Sequence, residues 1–348
     1  MRIYIILGVT LVFSSVLALL VQPSRAATHS VVKASRIYFT TGGSSGFGRP
    51  STPGKIERAN LDCSAQEVLV LTGPVVNNPD DPDSRPAGLA LDFDAGLLFW
   101  TDFLGGLFSA NLDGSDPKKL AGTPGDEFAT QGVDVDEATG RVTWLSDTIP
   151  QIQRINGDGT GQMTIIDDVV DSFPSDLVID PIGGKMYWAD GDMIMVANLD
   201  GTDVQTLIDS LEPPPRGLAL DVRGGKIYFT AADEANAQVQ RANLDGTNVE
   251  LLVFLGEGLE FFSWGIGLDL AADHIYWADD RAGKIQRSNF DGSNVVDICT
   301  GLDKPHGLAL EPVPQSKIPT LSEWGLIAMA GVLGIIGLLA IRRRKATA

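Results

Sequence analysis

The sequence has few of the residues that enzymes most often use as metal ligands and nucleophiles. Its 348 residues include only 3 histidines and 2 cysteines. That is too few for the histidine and cysteine clusters that bind zinc or related metals. No glycine-rich phosphate-binding loop is present either. We therefore expect no catalytic residue and no metal site, and an enzymatic function is not the favoured interpretation.

Basic residues are also scarce compared with acidic ones. The chain has 26 Lys and Arg against 45 Asp and Glu, which gives a formal net charge of −19. Such a surface repels polyanions, so nucleic acid is excluded as a partner. An acidic surface favours solubility outside the cell and weak binding of divalent cations. No cofactor is predicted, and calcium is the one alternative.

The chain does contain an internal repeat of four short strands. In the clearest copy, Arg216–Asp221, Lys226–Thr230, Gln240–Asn243 and Val249–Val253 are apolar runs separated by glycine-containing turns. The third strand ends in an Asn-x-Asp-Gly-like turn in six places, which begin at Asn60, Asn111, Asn156, Asn198, Asn243 and Asn289. The spacings of 51, 45, 42, 45 and 46 residues are typical of a β-propeller. The prediction is an all-β protein with six four-stranded antiparallel blades.

The first copy lacks its first strand. Nothing before Ile37 resembles the Gly-Leu-Ala-Leu-Asp strand of the other copies, whereas Gly307–Glu311 at the far end does. We therefore expect the C-terminal strand to become the innermost strand of blade 1 and to close the ring. Closure leaves only short outer edges unpaired. The predicted propeller spans residues 35–311.

Three motifs in register carry a resemblance to a known family. The Gly-Leu-Ala-Leu-Asp strand, the following strand such as Tyr187-Trp-Ala-Asp190, and the Asn-Leu-Asp-Gly turn together resemble the low-density lipoprotein receptor class B (YWTD) repeat. Copies one and five lack the final aspartate of the tetrad. The resemblance implies a six-bladed platform for interactions, in which the tetrad aspartates tie blades together: Asp102, Asp147, Asp190 and Asp279.

Both ends of the chain carry targeting signals. Residues 1–26 have a basic start, an apolar run and small residues at the end, which predicts a cleaved signal peptide. Residues 312–317 form a linker. Residues 324–341 are apolar and uncharged, long enough for one membrane helix of about 27 Å, and a basic cluster follows at 342–345. The helix is preceded by a short motif: Ile318, Pro319, Thr320, Leu321, Ser322, Glu323, Trp324 and Gly325.

This tail over residues 318–345 resembles the IPTL-CTERM sorting tail of Gram-negative bacteria. The resemblance implies processing by an exosortase-type membrane enzyme. It also implies export, a transient inner-membrane tether with the propeller in the periplasm, and then a cell-surface or extracellular location. A permanent single-pass anchor is the alternative.

The residue before each Gly-Leu-Ala-Leu strand should lie at one mouth of the central channel. These positions differ more between copies than the motifs around them do: Ala87, Gln131, Ser175, Arg216, Trp264 and His306. One interpretation is a ligand-binding face, on which Arg216 would meet an anion and Trp264 a sugar-like surface. Gln131 and His306 would then form hydrogen bonds. The other interpretation is weak constraint on exposed loop ends.

Two functional classes follow from these features. The first is a non-catalytic binding module that recognises a protein or polysaccharide. The alternative is a propeller hydrolase or lyase, lactonase-like and calcium-dependent, which needs convergent carboxylates or a histidine with an acid partner at the mouth.

The two cysteines are predicted to stay unpaired. An even count in an exported protein invites a disulfide, and blades 1 and 6 are neighbours in a closed ring. However, Cys63 lies in a hairpin on one face and Cys299 ends a strand on the other. A five-residue strand spans about 17 Å, whereas a disulfide needs Cα atoms within about 7 Å.

Overall fold

The structure is a computed structural model. It describes residues 34–42, 53–72, 86–102, 106–122, 132–146, 151–167, 174–233, 235–256 and 265–312. Within these ranges the chain forms six four-stranded sheets. The predicted signal peptide, the sorting motif and the predicted helix at 324–341 lie outside them. In the part of the chain that is described, no helix is long and apolar enough to cross a membrane.

Each sheet is one blade, and its four strands run in order from the centre of the ring to its outer edge. Blade 1 contains β24 (Leu308–Pro312), β1 (Ala34–Thr41), β2 (Lys55–Asn60) and β3 (Glu67–Leu71). Blade 2 contains β4 (Pro86–Asp92), β5 (Leu97–Asp102), β6 (Leu107–Asn111) and β7 (Lys118–Ala121). Blade 3 contains β8 (Val133–Asp136), β9 (Arg141–Ser146), β10 (Gln151–Asn156) and β11 (Met163–Ile166).

The remaining three blades repeat the same order. Blade 4 contains β12 (Pro174–Asp180), β13 (Lys185–Asp190), β14 (Met193–Asn198) and β15 (Gln205–Ile208). Blade 5 contains β16 (Pro215–Asp221), β17 (Lys226–Ala232), β18 (Ala237–Asn243) and β19 (Glu250–Gly256). Blade 6 contains β20 (Ile266–Asp269), β21 (His274–Asp279), β22 (Lys284–Asn289) and β23 (Val296–Thr300).

The predicted ring closure is confirmed. Strand β24 pairs antiparallel with β1, and Leu308 lies opposite Phe39 while Leu310 lies opposite Ile37. The inner strands contact one another in the cyclic order β4, β8, β12, β16, β20, β24 and back to β4. The last strand of the chain therefore completes the first blade, and the inner strands together surround a central channel.

The hydrophobic core lies between the blades. The buried apolar residues of the described ranges form six clusters, each built from two adjacent blades. At the centre of three of these clusters lie Trp100, Trp188 and Trp277, which are almost completely buried. A single blade would leave both of its apolar faces in water, so each blade depends on its two neighbours.

Local hydrogen bonds account for the repeated Asn-x-Asp turns. In each turn the aspartate Oδ1 accepts bonds from the backbone N–H and the hydroxyl of the residue two positions later. These bonds lower the pKa of the aspartate, as at Asp200 with Thr202. The same pair occurs at Asp62–Ser64, Asp113–Ser115, Asp158–Thr160, Asp245–Thr247 and Asp291–Ser293. These carboxylates therefore serve the turns.

The prediction about the cysteines was wrong. Cys63 and Cys299 form a disulfide, with their Cα atoms 5.2 Å apart. Cys63 lies in the turn between β2 and β3 of blade 1, and Cys299 lies in the outer strand β23 of blade 6. The bond therefore joins the first and last blades across the point where the ring closes.

The reason is the way the outer parts of neighbouring blades meet. The turn after the third strand of one blade packs against the outer strand of the preceding blade, not beside its matching turn. Sheet twist rotates the outer strand away from the direction of the inner one. The same contact recurs between other blades, where the turn residue is glycine. A Cβ added to this glycine would lie only 2.1–2.3 Å from a carbonyl oxygen of the preceding blade. The pairs are Gly114 with Leu69, Gly201 with Ile165, Gly246 with Leu207 and Gly292 with Leu252. Cys63 occupies this glycine position.

Candidate functional site

The central channel contains a cavity of about 430 Å³. Its wall is formed by the inner strands, from the residues at their entrances, such as Ser175 and His306, to the turns that follow them, such as Phe93 and Glu137. Most of the lining is aliphatic or glycine, and polar groups are few. The cavity is large enough for a small ligand or for part of a larger one.

The predicted mouth residues occupy different environments. Ala87, Ser175 and His306 line the cavity. Ser175 is buried and its Oγ donates a hydrogen bond to the Pro215 carbonyl at 3.2 Å, which links blade 4 to blade 5. The backbone N–H of His306 donates to the Thr40 carbonyl at 3.0 Å.

Arg216 lies outside the cavity lining. Its Nε donates to the Ala232 carbonyl at 3.3 Å, within its own blade. Burial lowers the pKa of the guanidinium, while the nearby Asp233 opposes this shift. Gln131 and Trp264 lie outside the described residues.

Two aspartates outside the predicted set of site residues face the channel. Asp134 accepts a hydrogen bond from its own neighbour Val135 and another from the Ile179 N–H of blade 4, each at 2.8 Å. Asp176 in blade 4 repeats this pattern with Leu177 and with the Leu218 N–H of blade 5. Each carboxylate thus connects two adjacent inner strands, and both side chains line the cavity.

These carboxyl groups titrate near neutral pH. Burial raises the pKa of Asp134 to about 6 and that of Asp176 to about 7, although the backbone hydrogen bonds oppose the shift. At the other end of the cavity, burial together with the charges of Asp92 and Asp94 raises the pKa of Glu137 to about 7. Glu137 is more exposed than the two aspartates. The charge of the cavity therefore depends on pH in the physiological range.

The tetrad aspartates are buried or bonded locally. Asp102 and Asp190 are buried, and Asp279 accepts a hydrogen bond from the Ala282 N–H at 2.9 Å. Asp147 lies outside the described residues. Among the residues that the structure describes, no group of three or more His, Cys, Asp or Glu side chains is arranged to hold a metal ion.

Comparisons with known proteins agree with this architecture. A model of the low-density lipoprotein receptor repeat class B matches residues 184–222, and a model of the IPTL-CTERM motif matches residues 318–344. The class B model thus matches one repeat of the ring, and the IPTL-CTERM model matches the tail. The class B match runs from the turn before β13 to just after β16. It therefore covers three strands of blade 4 and the inner strand of blade 5.

Curated relatives share part of this class B propeller. The chain is 30% identical over 146 residues to a human low-density lipoprotein receptor-related protein 5-like protein, over 41% of this chain and 55% of that protein. It is 33% identical over 139 residues to low-density lipoprotein receptor-related protein 1 of Pyricularia oryzae, over 34% of this chain and 44% of that protein. The chain thus spans about half the length of these relatives, or less.

Solved structures share the fold at low sequence identity. A chain in the crystal structure of a nidogen/laminin complex superposes with a TM-score of 0.62 at 20% identity, over 79% of this chain and 98% of that one. TolB from Acinetobacter baumannii gives a TM-score of 0.61 at 12% identity, over 80% and 67% of the two chains. At these identities the likeness concerns the fold alone.

The sequence did contain a signal for the channel aspartates. Asp134 stands where other class B copies of this chain have alanine, glycine or valine, and Asp176 stands where they have glycine. Both are departures from the repeat inside an inner strand, where polar residues are unexpected. Neither aspartate lies at a strand-entrance position, so variation at the entrances does not identify them.

Proposed function

We propose that this protein is an exported, non-catalytic binding module that is displayed on the cell surface or released from it. The class B repeats and the IPTL-CTERM tail support a surface protein with a binding role. The finer statement, that the ligand is a protein or a polysaccharide bound at one face of the ring, is the proposal. An exosortase-type enzyme would process the tail.

The observation that carries the proposal is the location of the least repetitive residues. The strand entrances vary in chemistry, and Ala87, Ser175 and His306 all border one cavity of about 430 Å³. Arg216 would extend this surface around the entrance. A ligand group with hydrogen-bond donors would enter the channel, where Asp134 and Asp176 supply acceptors.

A test is binding of the full-length oxidised protein to surface polysaccharides and surface proteins of the producing cell, measured by biolayer interferometry. The Arg216→Ala and His306→Ala variants should bind at least tenfold more weakly. Arg223→Ala is the matched control, because Arg223 is an exposed residue in the turn at the opposite end of the same strand, β16. Equal affinity in all three variants would dismiss this face as the binding site.

The hydrolase or lyase alternative draws support from one feature. Carboxyl groups with raised pKa values inside a cavity are common in active sites, and Asp134, Glu137 and Asp176 fit that description. Calorimetric titration with calcium separates the two classes. A tight stoichiometric site that disappears in Asp134→Asn would favour the enzyme, whereas weak non-stoichiometric heat would favour the binding module.

A further inference from the structure

We propose that the Cys63–Cys299 disulfide limits how much of the propeller unfolds when mechanical force is applied through its C-terminal tail. The proposal rests on the display part of the proposed function, because force enters from the tail only when the tail is held. It concerns the contacts that hold the C-terminal end of the propeller, from Pro312 back to Cys299, in blades 1 and 6.

The first contacts to carry such a force are weak. The tail continues directly from β24, which is held in blade 1 by its antiparallel pairing with β1. At the end nearest the tail the pairing shifts register between Ala34 and Arg36. The ion pair there, Arg36 with Glu311 at 3.8 Å, is partly exposed, and such pairs contribute little. A pull on Pro312 would therefore separate β24 from β1 one residue pair at a time.

The next segment upstream is held by hydrogen bonds and not by a covalent bond. Residues 301–307 form backbone hydrogen bonds with blade 1 and blade 6, such as the His306 N–H to Thr40 at 3.0 Å and the Leu302 N–H to Gly283 at 2.9 Å. The Thr40 hydroxyl accepts a further bond from the Gly307 N–H at 2.7 Å. The following residues are Thr300 and the buried Cys299 in β23. Without a covalent bond, the force would then unravel blade 6 and continue through the ring.

The disulfide changes the path of the force. At Cys299 the load crosses to Cys63 in blade 1 and bypasses the residues between them, a sequence separation of 236. Blades 2 to 5, and most of blade 6, then carry no tension along their backbones. At the other described contacts between a turn and the outer strand of the preceding blade, the turn residue is glycine. The disulfide replaces this contact between blades 6 and 1, where the two ends of the ring meet.

The test is single-molecule force spectroscopy on the full-length chain in detergent, with handles at both ends. In the oxidised protein, unfolding of the propeller should release only the segments before Cys63 and after Cys299, about 15 nm of chain counted from residue 34 to residue 312. After reduction, the stretch between the cysteines, a sequence separation of 236, should add about 80 nm. An oxidised chain that releases the full length would overturn the proposal.

A matched variant replaces the cysteines with the residues that this chain uses at equivalent positions. Cys63→Gly copies Gly114, and Cys299→Val copies Val70, so the blade contact stays close to that of its neighbours. The variant should release the long length with or without reductant, and a short release in the variant would contradict the proposal. The assay contains no ligand, so its expected result does not change if the binding proposal fails. Cell fractionation tests display separately.

Discussion

The close approach of neighbouring blades makes a quantitative prediction at Gly246. Its φ of +81° is a left-handed conformation, and an added Cβ would lie 2.1 Å from the Leu207 carbonyl oxygen of blade 4. Gly225 in the same blade also has a positive φ, +65°, but a Cβ there would have no neighbour within 4 Å. The two glycines therefore share the backbone requirement and differ in the inter-blade contact.

Both alanine substitutions should lose about 1–2 kcal/mol of unfolding free energy, because the left-handed conformation disfavours a side chain. Gly246→Ala should lose about 1–3 kcal/mol more, because blade 5 must move away from a backbone atom that cannot rotate aside. For a ring of this size that extra loss corresponds to a further fall in Tm of about 2–6 °C.

The measurement is thermal and urea denaturation of the oxidised protein, followed by tryptophan fluorescence. The buried Trp188 lies in the core between blades 3 and 4, and the buried Trp277 lies in the core between blades 5 and 6, so both should report unfolding of the ring around blade 5. Equal losses for Gly246→Ala and Gly225→Ala would refute the reasoning, since the backbone conformation alone would then explain both glycines.

Three further predictions concern other links between blades. Exchanging Cys63 and Cys299 for Gly and Val should lower the unfolding free energy by up to about 5 kcal/mol, the entropy of closing a loop of 236 residues, as measured by urea denaturation with and without reductant. The pKa values of Asp134 and Asp176 are higher in the folded than in the unfolded chain. Their stabilising contribution is therefore complete below about pH 4 and is lost as the pH rises to about 6 and 7, by about 3 to 4 kcal/mol each. The double Asn variant should flatten this part of the curve of urea midpoint against pH, and an unchanged slope would contradict the assignment. Arg154→Ala removes a hydrogen bond of 2.7 Å to a backbone carbonyl of blade 4, so it should cost about 1–3 kcal/mol, whereas Arg141→Ala, an exposed residue of the same blade, should cost less than about 0.5 kcal/mol.

The blade count and the closure of the ring were predictable because they depend on local patterns. Alternating apolar residues determine which segments become strands, and Asn-x-Asp-Gly turns determine where the chain reverses. The Gly307–Glu311 segment could be assigned to blade 1 because only that blade lacked its inner strand. The pairing of Leu308 with Phe39 and of Leu310 with Ile37 confirms the assignment.

The candidate site was predictable only in part. Ser175 and His306 line the cavity, whereas Arg216 bonds within its own blade and does not line it. Whether a side chain at a strand end turns into the channel or outward depends on the packing around it. Repeat position alone does not determine that direction.

The six blades, their strand order, the closing strand and the sorting tail could be read from local patterns, since each is specified by residues close together in the chain or by a repeat of the same unit. The contact of Cys63 with Cys299 and the bonds of Asp134 and Asp176 to the next blade are properties of the folded ring. Those contacts depend on the twist and offset between adjacent sheets. Distances measured along a single strand do not contain that information.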